Sequence, residues 1–107
     1  MPIKPVDAPT LKRWLEQGEA CLIDVREPAE HAAEYIDGAC LVPVGDVSLR
    51  QLPPAQGKKL VVHCLKGGRG MTACGKLLAE NPNLEIYNLE GGIAAWRSCG
   101  YPTAKAV

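Results

Sequence analysis

Three absences bound what this chain can be. Neither sign of charge is in excess: 12 basic and 12 acidic residues leave a net charge of zero, so nothing advertises the basic footprint of a nucleic-acid or anionic-membrane partner. No apolar run approaches the roughly 18 residues that cross a bilayer, and the opening stretch MPIKPVDAPTLKRWL has no uninterrupted apolar core behind a basic end. A cytoplasmic location with no membrane partner is the expectation. Paired cysteines are missing too: the five, at 21, 40, 64, 74 and 99, are odd in number and contain no C-x-x-C. That argues against a disulfide framework and against a zinc site, and no metal or cofactor is expected. Repeats, low-complexity tracts and linkers are also absent. A length of 107 residues suits a single domain over 1–107, which on folding buries somewhat over about 60% of its unfolded surface.

What is present alternates between two periods. IKPV reads as a brief edge strand, because its proline cannot donate to a central ladder. In DAPTLKRWLEQG, Leu11, Trp14 and Leu15 recur at helical spacing, with Asp7 or Thr10 as cap and Gly18 as stop. CLIDV is a buried-strand run, PAEHAAEY a short helix opened by proline, ACLVPV a third strand, and DVSLRQL a short helix ended by Pro53 and Pro54. KLVVHC is a fourth strand, followed from Gly70 by a helix with Met71, Cys74, Leu77 and Leu78 on one face. LEIYNL and GGIAAWRSCG supply a fifth strand and a last helix. Strands alternating with helices predict an α/β fold: an open, mainly parallel five-stranded sheet with helices on both faces. Ligands of such sheets sit off the carboxyl ends of the strands, and Cys64 lies at the carboxyl end of the fourth.

Cys64 is distinguished by the residues on its carboxyl side. A cysteine nucleophile reacts as its thiolate, which an electropositive surrounding favours. Gly67, Gly68 and Gly70 permit the backbone angles that turn successive N–H groups inward as an anion nest. The helix start adds the positive end of its dipole, and Lys66 and Arg69 add full charges. A cysteine before a glycine-rich turn also arises from packing alone, and the local pattern leaves that open. The segment lacks G-x-x-x-x-G-K-[ST], so it is not a nucleotide loop, and one GGRG without flanking aromatics is a weak RNA signal. Cys21, Cys40, Cys74 and Cys99 sit among apolar neighbours and read as small hydrophobes. His63 reads as a packed, hydrogen-bonded residue of a buried strand end, and His31, beside Glu30 and Glu34, as facing solvent.

HCLKGGRGMTACGKLL resembles the active-site segment of the rhodanese family of sulfurtransferases, C-x-x-G-x-R-[ST] followed by a helix, with Cys64, Gly67 and Arg69 in register. LIDVREPAEHAAEYIDGACLVP and YNLEGGIAAWRSCGYP resemble two flanking signatures of that family, so the likeness runs from about Val6 to Pro102. Gly70 departs from it, standing where the family has serine or threonine. Cysteine-dependent phosphatases share this kind of fold but space cysteine and arginine by five residues. Here four intervene, Leu65, Lys66, Gly67 and Gly68, which favours a cradle for one sulfur over one for a phosphate.

The resemblance implies Cys64 as the catalytic residue and Leu65, Lys66, Gly67, Gly68, Arg69 and Gly70 as the sulfur-binding loop, with all the loop N–H groups stabilising the anionic sulfur. Arg69 would hold the loop and add charge, and Lys66 would meet an anionic donor. The implied partners are a small sulfur donor such as thiosulfate and an acceptor, either cyanide or a thiol, including a protein thiol. It also implies that Asp24 accepts backbone hydrogen bonds while Arg26 pairs with a carboxylate such as Glu30, both as structure and not as catalysis. Trp96 and Tyr87 are expected to pack. The other outcomes it leaves are an interaction module, a persulfide carrier and, as the nearest enzyme alternative, a cysteine phosphatase or arsenate reductase.

Overall fold

A computed structural model describes residues 3–105. Strand β1 (Ile3–Val6) leads into helix α1 (Ala8–Glu16), whose N-cap Asp7 accepts the Thr10 N–H at 2.9 Å. Strand β2 (Ala20–Asp24), helix α2 (Pro28–Ala33) and strand β3 (Cys40–Leu41) follow. Strand β4 (Lys59–His63), helix α3 (Gly68–Glu80), strand β5 (Ile86–Leu89) and helix α4 (Gly92–Ser98) complete the order. The sheet runs β1-β5-β4-β2-β3 with every neighbouring pair parallel. The expected α/β architecture is therefore present, with β1 at an edge as its proline requires.

Both faces of the sheet are covered, which is why its strands read as continuous apolar runs. On one face Ile23, Leu60, Val62 and Ile86 pack beneath Ala73, Cys74 and Leu77 of α3. On the other, Leu22, Val61 and Leu89 pack against Leu11 of α1 and Ile93 and Trp96 of α4. Trp96 is buried and donates its indole N–H to Pro102 O at 2.9 Å, and Tyr87 is half-buried against Trp14, so both serve packing. No helix among the described residues is long and apolar enough to cross a membrane.

Three local expectations differ from what is found. The third strand is only two residues long, because the segment from Pro43 onward turns away into a 3-10 turn over Val44–Asp46. The short helix expected over DVSLRQL is divided between that turn and a second one over Leu49–Gln51. Helix α3 begins at Gly68, two residues before the expected start. Gly67 caps it at φ 120°, an angle that favours glycine, and the first turn lies close against β5, which compensates for two glycines of poor helix propensity.

Candidate active site

β4 is the central strand, and the chain leaves it directly into Cys64. Cys64 is buried, and its Sγ accepts one backbone hydrogen bond, from the Gly67 N–H at 2.9 Å. The loop is held by its carbonyls. Cys64 O accepts the Ile93 N–H at 2.9 Å and Leu65 O the Ala94 N–H at 3.1 Å, so the first turn of α4 grips the outside of the loop. Gly67 O accepts the Met71 N–H at 3.0 Å and the Asn88 side-chain amide at 3.2 Å. With these carbonyls committed outward, the loop can present N–H groups towards the sulfur. The contact with α4 depends on Gly92: a Cβ there would lie 2.5 Å from Cys64 O and from Leu65 C and O, backbone atoms that cannot yield.

The expected loop residues divide into two sets. Leu65, Lys66 and Gly67 form the loop proper, with Lys66 exposed at its rim, while Gly68, Arg69 and Gly70 are the first turn of α3. Of the N–H groups from Leu65 to Gly70, that of Gly67 is the one within hydrogen-bonding range of Sγ. Those of Gly68, Arg69 and Gly70 stand at the positive end of a 13-residue helix that starts beside the sulfur.

Arg26 pairs with a carboxylate as expected, but with Asp24, and the Glu30 suggested for it is taken by Arg69. Arg69 makes a bidentate pair with Glu30 of α2, at 2.6 and 2.9 Å, so its guanidinium ties the start of α3 to α2. Arg26 pairs instead with Asp24, Nε to Oδ1 at 2.9 Å and Nη2 to Oδ2 at 2.7 Å, and gives a further bond to Glu34 O at 2.6 Å. Asp24 Oδ1 also accepts the Arg26 N–H at 3.0 Å, as expected of a turn carboxylate. Residues 24 and 26 fall on one side of the chain, and the turn after β2 brings the guanidinium down onto the carboxylate.

His31 does not face solvent. Its Nδ1 lies 2.8 Å from Asp24 Oδ2 and its ring stacks on Tyr35 at 4.7 Å. His63 is buried as expected, with Nδ1 3.2 Å from Cys64 O and Nε2 3.8 Å from Asp24 Oδ2 but without a hydrogen-bond partner. Burial would push the Asp24 carboxyl up, yet Arg26, then the His63 and His31 rings, bring it down to about 2. His63 is pushed down by burial, which outweighs the attraction of Asp24. The ring therefore sits neutral beside the loop.

The remaining cysteines separate from Cys64. Cys74 is buried on α3 with its thiol pushed up to about 12 by burial, which marks it as a packing residue. Cys21 and Cys40 are half-buried, and Cys99 is exposed instead of packed. A cavity of about 430 Å³ bounded by Lys12, Ile36, Lys58 and Trp96 lies apart from the loop and includes none of its residues. Asn88 and the grip of α4 are not legible in the sequence pattern. The available signal for Asn88 is a lone amide inside the apolar run LEIYNL.

A cysteine in a glycine-rich loop between the central strand and a helix of a parallel α/β sheet defines a class, that of small α/β proteins with a cysteine loop at the carboxyl end of the sheet. Within that class the family is shown: the rhodanese-like domain model matches residues 7–99, and the chain belongs to the rhodanese-like family. It is 31% identical over 101 residues to a protein of Allochromatium vinosum named sulfurtransferase, covering 94% of each chain. It is 38% identical over 96 residues to an uncharacterized protein of Synechocystis sp., covering 90% of this chain but only 53% of that one. Its fold superposes with a TM-score of 0.81 on the structure of a thiosulfate sulfurtransferase from Pseudomonas aeruginosa, at 26% identity, over 96% of this chain and 19% of that one.

Proposed function

We propose that this protein is a sulfurtransferase that moves a sulfane sulfur from thiosulfate, or a donor of the same charge and shape, to cyanide or a thiol through a persulfide on Cys64. The observation that carries this reading is the Gly67 N–H held 2.9 Å from Cys64 Sγ, in a loop with four residues between Cys64 and Arg69. Kinship with proteins named sulfurtransferase supports it.

The reaction is a double displacement. The Cys64 thiolate attacks the outer sulfur of thiosulfate; the S–S bond breaks and sulfite departs with its electron pair, leaving the cysteine persulfide. Cyanide then attacks the outer sulfur, thiocyanate departs, and the thiolate returns. A thiolate acceptor leaves in the same way as its own persulfide, so the cycle closes without an oxidant. The Gly67 N–H and the start of α3 stabilise negative charge on sulfur in each step, as an oxyanion hole does on oxygen. Lys66, exposed at the rim, meets the sulfonate end of the donor, while Arg69, committed to Glu30, holds the helix start in place. Because Cys64 is buried, the donor must reach it end-on, which suits a small anion carrying a terminal sulfur.

Intact mass after incubation with thiosulfate tests the reading. A gain of about 32 Da on the wild type, removed by cyanide and absent in Cys64→Ser, is the expected result for a covalent sulfur intermediate. A gain that persists in Cys64→Ser would sink it, as would hydrolysis of an aryl phosphate that is lost in that variant.

A further inference from the structure

Asn88 is a polar side chain in an apolar place. It lies on β5 beneath the first turn of α3, 7% exposed, and its Oδ1 is buried without a hydrogen-bond partner. An orphaned amide oxygen costs about 1–3 kcal/mol, so an apolar residue would serve packing better there. Its other end is engaged: Nδ2 donates to Gly67 O at 3.2 Å. Gly67 is the residue whose N–H meets Cys64 Sγ at 2.9 Å.

The same carboxamide fills a second space. A Cβ built on Gly70 would lie 2.1 Å from Asn88 Oδ1 and 3.1 Å from its Cγ. Any side chain at position 70 must therefore push the amide aside and loosen its hold on Gly67. Gly70 is where the family pattern carries serine or threonine, so this departure has a local cause. Gly67, at φ 120°, has no Cβ to limit its rotation, and its orientation rests on what grips its carbonyl.

We propose that Asn88 is a positioning residue for the Cys64 loop: it fixes Gly67 so that the N–H faces the sulfur, and it is the reason that position 70 is glycine. It acts through Gly67 and does not touch the reacting atoms. The inference rests on the reading of Cys64 as the working nucleophile, but its test does not require sulfur transfer.

The experiment is alkylation of Cys64 by iodoacetamide across pH, followed on the Cys64-containing peptide by mass spectrometry because the exposed Cys99 reacts as well. Wild type is compared with Asn88→Ala, Asn88→Asp, Gly70→Ala and the double variant Asn88→Ala/Gly70→Ala, with melting temperatures recorded alongside. Losing a hydrogen bond to a charged group is worth a factor of about ten. Asn88→Ala, Asn88→Asp and Gly70→Ala should each slow alkylation at neutral pH by about that factor and move the profile to higher pH. The double variant should be no slower than either single alanine variant, since both break one linkage. Purely structural damage would lower the melting temperature and leave the profile in place, overturning the proposal. So would a double variant in which the two effects multiply, or a folded Asn88→Asp with the wild-type profile. Should Asn88→Ala fail to fold, Asn88→Asp and Gly70→Ala decide. If wild type takes no sulfur from any donor while the alkylation pattern holds, the sulfurtransferase reading fails and the role of Asn88 stands.

Discussion

Two carboxylate–arginine pairs stand near this loop with nearly the same geometry. Asp24 and Arg26 meet through two hydrogen bonds of 2.9 and 2.7 Å with side chains 0% and 4% exposed. Glu30 and Arg69 meet through two of 2.6 and 2.9 Å, but about a third of each side chain is exposed. The first pair closes the turn after β2 and anchors His31 as well; the second joins helix α2 to the start of α3. Burial makes the same chemistry do different work. A buried charge that loses its partner has no water to turn to, whereas an exposed one does.

The largest effect therefore belongs to Asp24. Asp24→Ala leaves Arg26 buried without its partner and His31 without its acceptor, and should cost about 3–5 kcal/mol. For a domain of this size, that lowers the melting temperature by on the order of 15 °C or more. Thermal unfolding measures it. A loss under about 1 kcal/mol would place Asp24 in the same category as Glu30 and erase the contrast.

Legibility in the sequence tracks distance along the chain. Cys64 can be read because its strand, its glycines and the helix after it are contiguous. The α/β order can be read because β2 and β4 are buried on both faces and show it as unbroken apolar runs. His31 misleads because it sits next to Glu30 and one helical turn before Glu34, while its partner Asp24 reaches it across a turn seven residues back. The Arg69–Glu30 pair is hidden for the same reason: the two lie 39 residues apart, and only the docking of α2 beside α3 brings them together, which also takes Glu30 from Arg26 and leaves Arg26 to the nearby Asp24. The early start of α3 is hidden by glycines whose poor propensity is overridden by packing on β5.

Acid sharpens the comparison by stages. His63 is pushed down by burial, so the native ring is neutral while the unfolded one takes a proton below about pH 6.5. The unfolded state then binds more protons, and stability falls as pH drops below that point. Asp24 and Glu30, both held at about 2, contribute stability that is complete above roughly pH 5 and lost progressively as pH falls towards 2. Urea unfolding across pH 3–8 should show two declines, the upper one removed by His63→Gln. Persistence of the upper decline in that variant would mean that the ring is not the group responsible.

The smallest effect isolates charge alone. Glu30 Oε1 also accepts the Glu27 N–H at 3.0 Å at the start of α2. Glu30→Gln keeps an acceptor for that capping bond while removing the charge that faces Arg69. The Arg69 guanidinium in the variant can turn to water, so the expected cost is under about 1 kcal/mol, or less than about 8 °C in melting temperature. Molar salt, which screens half-exposed charges, should shrink the difference between wild type and variant. Persulfide loading should change by no more than about twofold, because helix α3 remains docked by its apolar face through Cys74 and Leu77. A folded Glu30→Gln that loads no sulfur would show instead that Arg69 must be aimed by Glu30 for the chemistry, and the exposed pair would then be the functional one of the two.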